Sequence, residues 1–457
     1  MNQIIEIDKG KNTNLVFSTS QTSQKNLEIL LELYKGKLFS CLIKMFTNDC
    51  INQFGIQIFS VKKSFSRTLT NLLSSWMFSL YVSYDFSGDY FLPTNYSDTK
   101  SLENTLRDFC KYDTKIVNVN DKINKVLTNL KANYKYQLEL LASYAKSDVY
   151  KQNTTNYKIK KSMINIKKNK NSSLESTFYK LDIIVYFSIK DKRLLNILNN
   201  ILIPIKIYDK LVHAYTGPKS KVDEYLWAIV FRYQLLGSNN HQLAVLPNIM
   251  ESMTNDYNLN FECFASAINS TYPRYCSIYY DLEKHFGSVG SFFNITPIKG
   301  TFGFNPPYQK DIIELGINKL LNFLNSSQQL TFIITIPVWD NIGRNYMKEH
   351  YNNELEKQNI DYGDFPIVNN IRESKYFKGL RMISKDNFTY VDHNFELYKN
   401  KTIQNTYVIM LSNFDQDLTN LNGYDFESFP GMINDNIVVT EENIVATEEN
   451  VDHEIDI

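Results

Sequence analysis

Phe304-Asn305-Pro306-Pro307-Tyr308 is the run in this chain best suited to chemistry. It follows the strand-like Gly300-Thr301-Phe302-Gly303-Phe304 and precedes an apolar-periodic helix over Gln309–Asn325. The exocyclic amine of a nucleobase is a poor nucleophile, because its lone pair is delocalised into the ring. The Asn305 side-chain oxygen and the Pro306 carbonyl can accept its two N–H bonds, which draws the lone pair out toward a methyl donor. Each proline locks φ, and Pro307 also restricts Pro306, so the turn is stiff. Tyr308 offers a flat face on which a base can stack. Such a sequence also occurs as an ordinary proline turn. Its position after one strand and before one helix favours the chemical reading.

A second group lies upstream. In adenine methyltransferases the first strand ends with an acid, a short apolar stretch and a Gly-rich turn, which bind S-adenosylmethionine. Here Phe261-Glu262-Cys263-Phe264-Ala265-Ser266 occupies that place. Glu262 would take up the cofactor's ammonium, with Cys263, Phe264, Ala265 and Ser266 approaching it through their backbone. Ser266 and Ile268 stand where glycines are more usual, and Glu262 reads equally well as a capping or salt-bridged acid. Further on, Asp281 could bond ribose hydroxyls, and Phe286-Gly287-Ser288 could form a close-approach loop over the adenine. His285 has no partner visible in the sequence and reads as a surface residue.

These groups need a scaffold. Apolar runs at Phe261–Ala265, Thr301–Phe304, Leu330–Ile336 and Thr406–Leu411 alternate with helical segments. That pattern predicts a mostly parallel, doubly wound sheet, which binds ligands at the carboxyl ends of its strands. Before it, Leu27, Leu30, Leu31, Tyr34, Leu38, Leu42 and Met45 recur with helical spacing, as do stretches at 63–84, 101–112 and 119–150. Phe178–Ser188 reads as a strand and Val222–Leu236 as an amphipathic helix. The predicted organisation is a flexible N-terminus (1–24), a mainly helical domain (25–220), a Rossmann-like α/β domain (221–430) and an acidic disordered tail (431–457). Lys151 to Asn171 carries seven lysines and no acid, and reads as a basic loop in the helical domain.

The chain has 457 residues, with 49 basic and 49 acidic side chains. From Met432 onward there are eight acids and no Lys or Arg, so the remainder is basic by +8. A basic body suits a phosphate-bearing partner and equally suits plain solubility. The tail repeats Ile437-Val-Val-Thr-Glu-Glu-Asn443 as Ile444-Val-Ala-Thr-Glu-Glu-Asn450, too short for a coiled coil and too acidic to order itself. The five cysteines show no C-x-x-C spacing, which argues against a disulfide framework or a zinc site. No apolar leader opens the sequence, and the uncharged run Thr68–Tyr84 is broken by polar residues, so a buried helix is expected there and no membrane span. An intracellular, cytoplasmic or nuclear, location follows as the expectation. The Asn-, Lys- and Ile-rich composition suggests an AT-rich genome, such as that of a large DNA virus or a protist.

With Tyr275-Cys276-Ser277, Phe286-Gly287-Ser288 and Phe332-Ile333-Ile334-Thr335-Ile336-Pro337-Val338-Trp339 added to the two motifs, residues 222–412 resemble the cap-specific adenosine N6-methyltransferases, the family of the phosphorylated-CTD-interacting factor. That family has Asn-Pro-Pro-Phe, so Tyr308 is a departure that keeps the stacking face. The resemblance implies a class I methyltransferase domain acting with S-adenosylmethionine on the first transcribed adenosine of capped mRNA. No metal is needed. Asn305, Pro306, Pro307 and Tyr308 would be catalytic, with Trp339 against the RNA; Lys160, Lys161, Lys167 and Lys168 are RNA-contact candidates on their charge alone, a solvated loop being the other reading. Trp76, Trp227 and Trp339 show no WW spacing, so the family's WW domain is expected to be absent and no tether to the polymerase tail is implied. A DNA adenine methyltransferase and an inactive scaffold with the same fold are the alternatives.

Overall fold

The structure, a computed structural model, describes residues 3–7, 15–19, 26–55, 65–83, 89–110, 116–154, 157–167, 175–185, 200–236, 242–326, 329–341, 343–344, 365–385, 390–393, 399–401 and 405–414. Its centre is a sheet of seven strands: β1 (Gln3–Ile7), β2 (Leu15–Thr19), β7 (Leu259–Glu262), β8 (Ile295–Phe304), β9 (Leu330–Pro337), β10 (Phe377–Ile383) and β13 (Thr406–Ser412). Strands β7, β8 and β9 run parallel, and β13 lies antiparallel between β9 and β10. Parallel bridges from Glu262 to Tyr275 and from Tyr275 to Ser288 extend the sheet beyond β7. Every residue of β9 and β13 is buried, as their mostly apolar sequences suit strands covered on both faces.

Helix α10 (Lys310–Ser326) packs Ile313, Ile317 and Leu320 into one core, together with α11 (Ile367–Arg372). On the other side, α8 (Pro247–Tyr257) packs Ile249, Met250 and Met253 beside the small sheet of β6 (Leu243–Val245), β11 (Tyr390–Asp392) and β12 (Lys399–Lys401). Pro247 opens α8 where no intrahelical N–H is needed, and Asn258 closes it in the left-handed conformation.

A third and larger core joins helices α1 (Ile29–Phe54), α2 (Phe65–Ser83), α3 (Lys100–Cys110), α4 (Val119–Lys146), α5 (Asp148–Asn153), α6 (Ile205–Ala214), α7 (Val222–Leu236) and α9 (Tyr280–Glu283). Helix α7 is buried on nearly every side, and a Cβ on Gly36 of α1 would run into the Phe231 ring, so the two helices meet closely there. Among the described residues no helix is long and apolar enough to cross a membrane.

Three sequence expectations change. Residues 3–7 and 15–19 of the segment expected to be flexible are strands, with Leu15 and Phe17 fully buried and β2 paired antiparallel to the first half of β8. The expected basic loop 151–171 contains strand β3 (Tyr157–Lys167), which pairs residue for residue with β4 (Glu175–Val185), itself paired with β5 (Asn200–Pro204). The expected helical domain therefore carries a three-stranded sheet. The acidic tail 431–457 and Lys168 lie outside the described residues.

Candidate active site

A cavity of about 420 Å³ opens where β7, β8 and β9 end. That is the place an open α/β sheet offers a ligand. Cys263, Phe264, Ala265 and Ser266 line it from the end of β7, Asn305, Pro306, Pro307 and Tyr308 from the end of β8, and Trp339 from the segment after β9. Phe292 and Phe293 add aromatic faces, and Ser277 and Ser291 add hydroxyls. Asn71, Ser75 and Phe78 of α2 complete the lining from the helical part of the chain.

The turn after β8 is held by its prolines and by two backbone bonds. The Gln309 N–H donates to the Pro307 carbonyl at 2.7 Å, and the Ile313 N–H donates to the Gln309 carbonyl at 3.0 Å. No described residue takes up the Asn305 amide. Its oxygen is thus available to an incoming N–H. Tyr308 sits edge-on to Trp339 at 6.3 Å and to Tyr390 at 6.4 Å between ring centroids. Its hydroxyl bonds that of Tyr390, which also meets Thr406 Oγ1 at 3.3 Å. Burial pushes the Tyr308 phenol well above its ordinary value, so it stays neutral.

The loop after β7 holds no glycine, and side chains fix its backbone instead. Asn269 Oδ1 accepts the Ser266 N–H at 2.7 Å, and the Ser266 hydroxyl donates to Gln242 Oε1 at 2.6 Å. Glu283, fully buried, accepts the Ala267 N–H at 2.7 Å, the Tyr279 N–H at 3.2 Å and the Tyr233 hydroxyl at 3.1 Å. Burial nevertheless pushes its carboxyl up to about 7. From α6, the Lys210 ammonium donates to the carbonyls of Ile268 and Ser270 at 3.1 and 2.6 Å, and burial lowers it to about 8.

Several residues singled out from the sequence sit elsewhere. Glu262 is turned away from the main cavity into a smaller one behind it, since side chains alternate across a strand and Cys263 takes the near side. Its carboxylate accepts the Thr271 and Tyr272 N–H groups at 2.7 and 3.2 Å, and burial raises it to about 7. The role of ammonium partner is therefore not supported by its position. Asp281 is not in the lining either. Both its oxygens take bonds from the buried Arg232, at 2.9 and 2.8 Å, while Arg232 grips Glu32 of α1 at 2.8 and 2.9 Å. Burial opposes ionisation of Glu32, but Arg232 and Lys35 outweigh it and hold the carboxyl below its usual range. Asp281 thus ties the 280–283 turn to the helical core.

Phe286 is buried behind the cavity, and Ser288 bonds Ser277 at 2.8 Å, which places it one residue layer back. Gly287 has φ +104°, and a Cβ there would collide with the Pro273 carbonyl, so packing accounts for this glycine. His285 is no plain surface residue: its ring lies between Tyr215 and Tyr225, and its carbonyl accepts the Thr216 N–H. Lys160 is exposed on β3, whereas the Lys161 ammonium is committed to the Tyr208 hydroxyl at 2.7 Å. Lys167 closes β3 opposite Glu175. Neither Lys160 nor Lys161 lines the cavity; Trp339 does. Glu283, Arg232 and the α2 residues had no local sequence signal, because their partners are far along the chain. Among the described residues no group of three or more His, Cys, Asp or Glu could hold a metal ion.

Residues 206–362 match the family described as the phosphorylated CTD interacting factor 1 WW domain. The chain is also similar to the mRNA (2′-O-methyladenosine-N(6)-)-methyltransferases of Mus musculus, 31% identical, and Homo sapiens, 30% identical, each over 121 residues. Each alignment covers 25% of this chain and 17% of the relative, so it spans about a sixth of those proteins' length. These findings bear out the resemblance drawn from the sequence to the cap-specific adenosine N6-methyltransferases. They also overturn one part of it. The WW-described region is present, so the expectation of no WW domain and no tether is withdrawn. Tryptophan spacing does not mark this region: the matched stretch runs from α6 past β9, with Trp227 fully buried in α7 and Trp339 at the cavity.

Proposed function

We propose that this chain transfers a methyl group from S-adenosylmethionine to N6 of the first transcribed adenosine beside an mRNA cap. The observation that carries this reading is the Asn305–Tyr308 turn, which shares one cavity with the loop after β7 and leaves the Asn305 amide unengaged among the described residues. The sheet supports it in its centre: β7, β8 and β9 run parallel and end at the cavity, as in a Rossmann-like class I methyltransferase domain, while β2 and β13 run antiparallel on either side, so the sheet is mixed where a mostly parallel one was expected. The mouse and human relatives are named for N6 methylation of 2′-O-methyladenosine in mRNA, and the preference for a cap-adjacent adenosine is what the resemblance drawn from the sequence implies.

The cavity's size and lining fit the cofactor, as its volume falls within the usual range of small-molecule sites. The Phe264 N–H, the Ser291 hydroxyl and the rings of Phe292 and Phe293 would hold it, while the Cys263, Ala265 and Ser266 N–H groups, already bonded within the protein, shape the wall. When bound, S-adenosylmethionine supplies the electrophilic methyl group. Tyr308 and Trp339 would hold the target ring, which must be unstacked to reach them. The Asn305 and Pro306 oxygens would take the two N6–H bonds and stabilise the positive charge that develops on N6 as the N–C bond forms. The donor's S–C bond would break in the same step with S-adenosylhomocysteine as leaving group, and the surplus N6 proton would pass to solvent. Phe264, Phe292 and Phe304 close the inner wall against water.

Label transfer from the cofactor tests the reading on capped RNA beginning with adenosine, on the uncapped RNA and on duplex DNA. Label confined to capped RNA is expected. Label on duplex DNA alone would make the chain a DNA adenine methyltransferase, and absence of both label and cofactor binding would make it a scaffold. The matched family's description also brings a phosphorylated polymerase tail to this chain as a partner, testable by binding of a phosphorylated CTD peptide.

A further inference from the structure

We infer that helix α2 supplies an adenine-reading edge to the cavity, with Asn71 as hydrogen-bond acceptor and Ser75 as its donor, and that the adenine read is the cofactor's. The inference rests on the methyltransferase reading above. Asn71, Ser75 and Phe78 are spaced i, i+4 and i+7, which puts them on one stripe of the helix. All three line the cavity. The rest of α2 is committed to packing: Leu69, Leu73, Trp76, Met77 and Leu80 are buried in the helical core. Ser74 is tied to the Leu236 carbonyl and Trp76 to that of Asp98.

Asn71 stands apart from these. Its Oδ1 is shut off from solvent yet receives no hydrogen bond among the described residues. Native structures keep few buried acceptors without a donor, and each asks for an explanation. Here the orphan acceptor sits in the wall of a ligand-sized cavity. A bound group that carries an N–H into the cavity would satisfy it.

An adenine edge has the matching pattern, an amino donor beside a ring-nitrogen acceptor. Asn71 Oδ1 would take the amino N–H, the Ser75 hydroxyl would donate to the ring nitrogen, and Phe78 would add an aromatic surface beside them. Both N–H bonds of the target adenine are already assigned to Asn305 and Pro306. The adenine left to be read from α2 is therefore that of the cofactor. On this inference the helical part of the chain completes the cofactor site.

The test uses the full chain with Asn71→Leu, which keeps size and removes the acceptor, and Ser75→Ala. Calorimetry with S-adenosylhomocysteine, the KM for capped RNA and the melting temperature of the free protein are measured. Asn71→Leu should weaken S-adenosylhomocysteine about tenfold, one hydrogen bond's worth, and Ser75→Ala less. The KM for capped RNA should stay within twofold. The free protein should melt no lower than wild type, because the variant deletes an unsatisfied acceptor. An analogue with the purine amino group replaced by oxygen should bind wild type more weakly and Asn71→Leu no more weakly than the parent compound. Unchanged cofactor affinity in both variants overturns the inference, as does a loss confined to the RNA. A fall in melting temperature with both ligands weakened alike would show a purely structural role and overturn it too. These outcomes leave the methyltransferase reading intact; a wild-type protein that binds no S-adenosylhomocysteine would remove both.

Discussion

The loop after β7 and the turn after β8 line one cavity, and they are stiffened by opposite means. Side chains hold the first: Glu283, Asn269, Gln242 and Lys210 use up most of the polar backbone between Ser266 and Ser270, along with the Ser266 hydroxyl. Covalent restriction holds the second: two prolines fix the chain while Asn305 keeps its amide unengaged by the described residues. A polar group that is already paired can only position its neighbours. One that is left unpaired in a water-poor cleft can act on a ligand. The difference separates the residues that build this site from those that would work in it.

Asn305→Ala is the sharpest way to break the comparison. Removing a preorganised polar group of this kind costs about 10²–10³ in rate, so turnover should collapse while the Kd for S-adenosylhomocysteine stays near wild type. Near-normal turnover would mean that the unpaired amide does no chemistry. Glu283→Ala probes the saturated wall. It strands the Ala267 and Tyr279 N–H groups and the Tyr233 hydroxyl, which should lower stability by about 3 kcal/mol in chemical denaturation and weaken the cofactor before it slows saturated turnover. A variant with unchanged stability would show that the loop does not depend on this carboxylate.

Glu262→Gln tests the same wall by pH. Both Glu262 and Glu283 are raised from 4.5 to about 7. The native protein then retains protons that the unfolded chain gives up, so their contribution is full below pH 4.5 and lost as pH rises to about 7. Glutamine can keep both N–H bonds to Thr271 and Tyr272 through its oxygen. The variant should match wild type near pH 4.5 and exceed its stability at pH 8 by on the order of 1–3 kcal/mol. Equal melting curves at both pH values would show that Glu262 is ionised in the fold. The smallest effect is expected for Tyr308→Phe, which keeps the ring and gives up one hydroxyl contact, below about 1 kcal/mol in KM for RNA. Tyr308→Ala should forfeit about 1–3 kcal/mol of stacking. Equal losses in the two variants would give the hydroxyl a larger part than the ring.

The turn after β8 and the central strands were legible because their signals are local. Val222–Leu236 is a helix over the predicted span, and β9 and β13 end within a residue of their predicted apolar runs. What stayed hidden depends on distance. Asp281 looked free until Arg232, 49 residues away, proved to hold it, and Glu32 joins the same guanidinium from 200 residues away. Strand β3 is masked by its lysines: its partners in β4 are far from it in charge pattern, with Ile159 facing Ile183 and Lys161 facing Leu181. The strands at 3–7 and 15–19 are too short to announce themselves, and beyond their pairing with each other it is the distant edge of β8 that ties them into the sheet.

That last pairing bears on how the protein is made. Val16 meets Lys299, and Phe17 meets Pro297, so the hairpin is synthesised long before the strand that will cover it. At ribosomal speeds of about 5–20 residues per second, the wait is roughly 15–60 s. Throughout it, Leu15 and Phe17, fully buried in the finished protein, have no native cover, and the outer edge of β2 is open to any passing strand. The helices emerge next and can pack among themselves at short range, whereas the first residues made can take their final place only once β8 has been made.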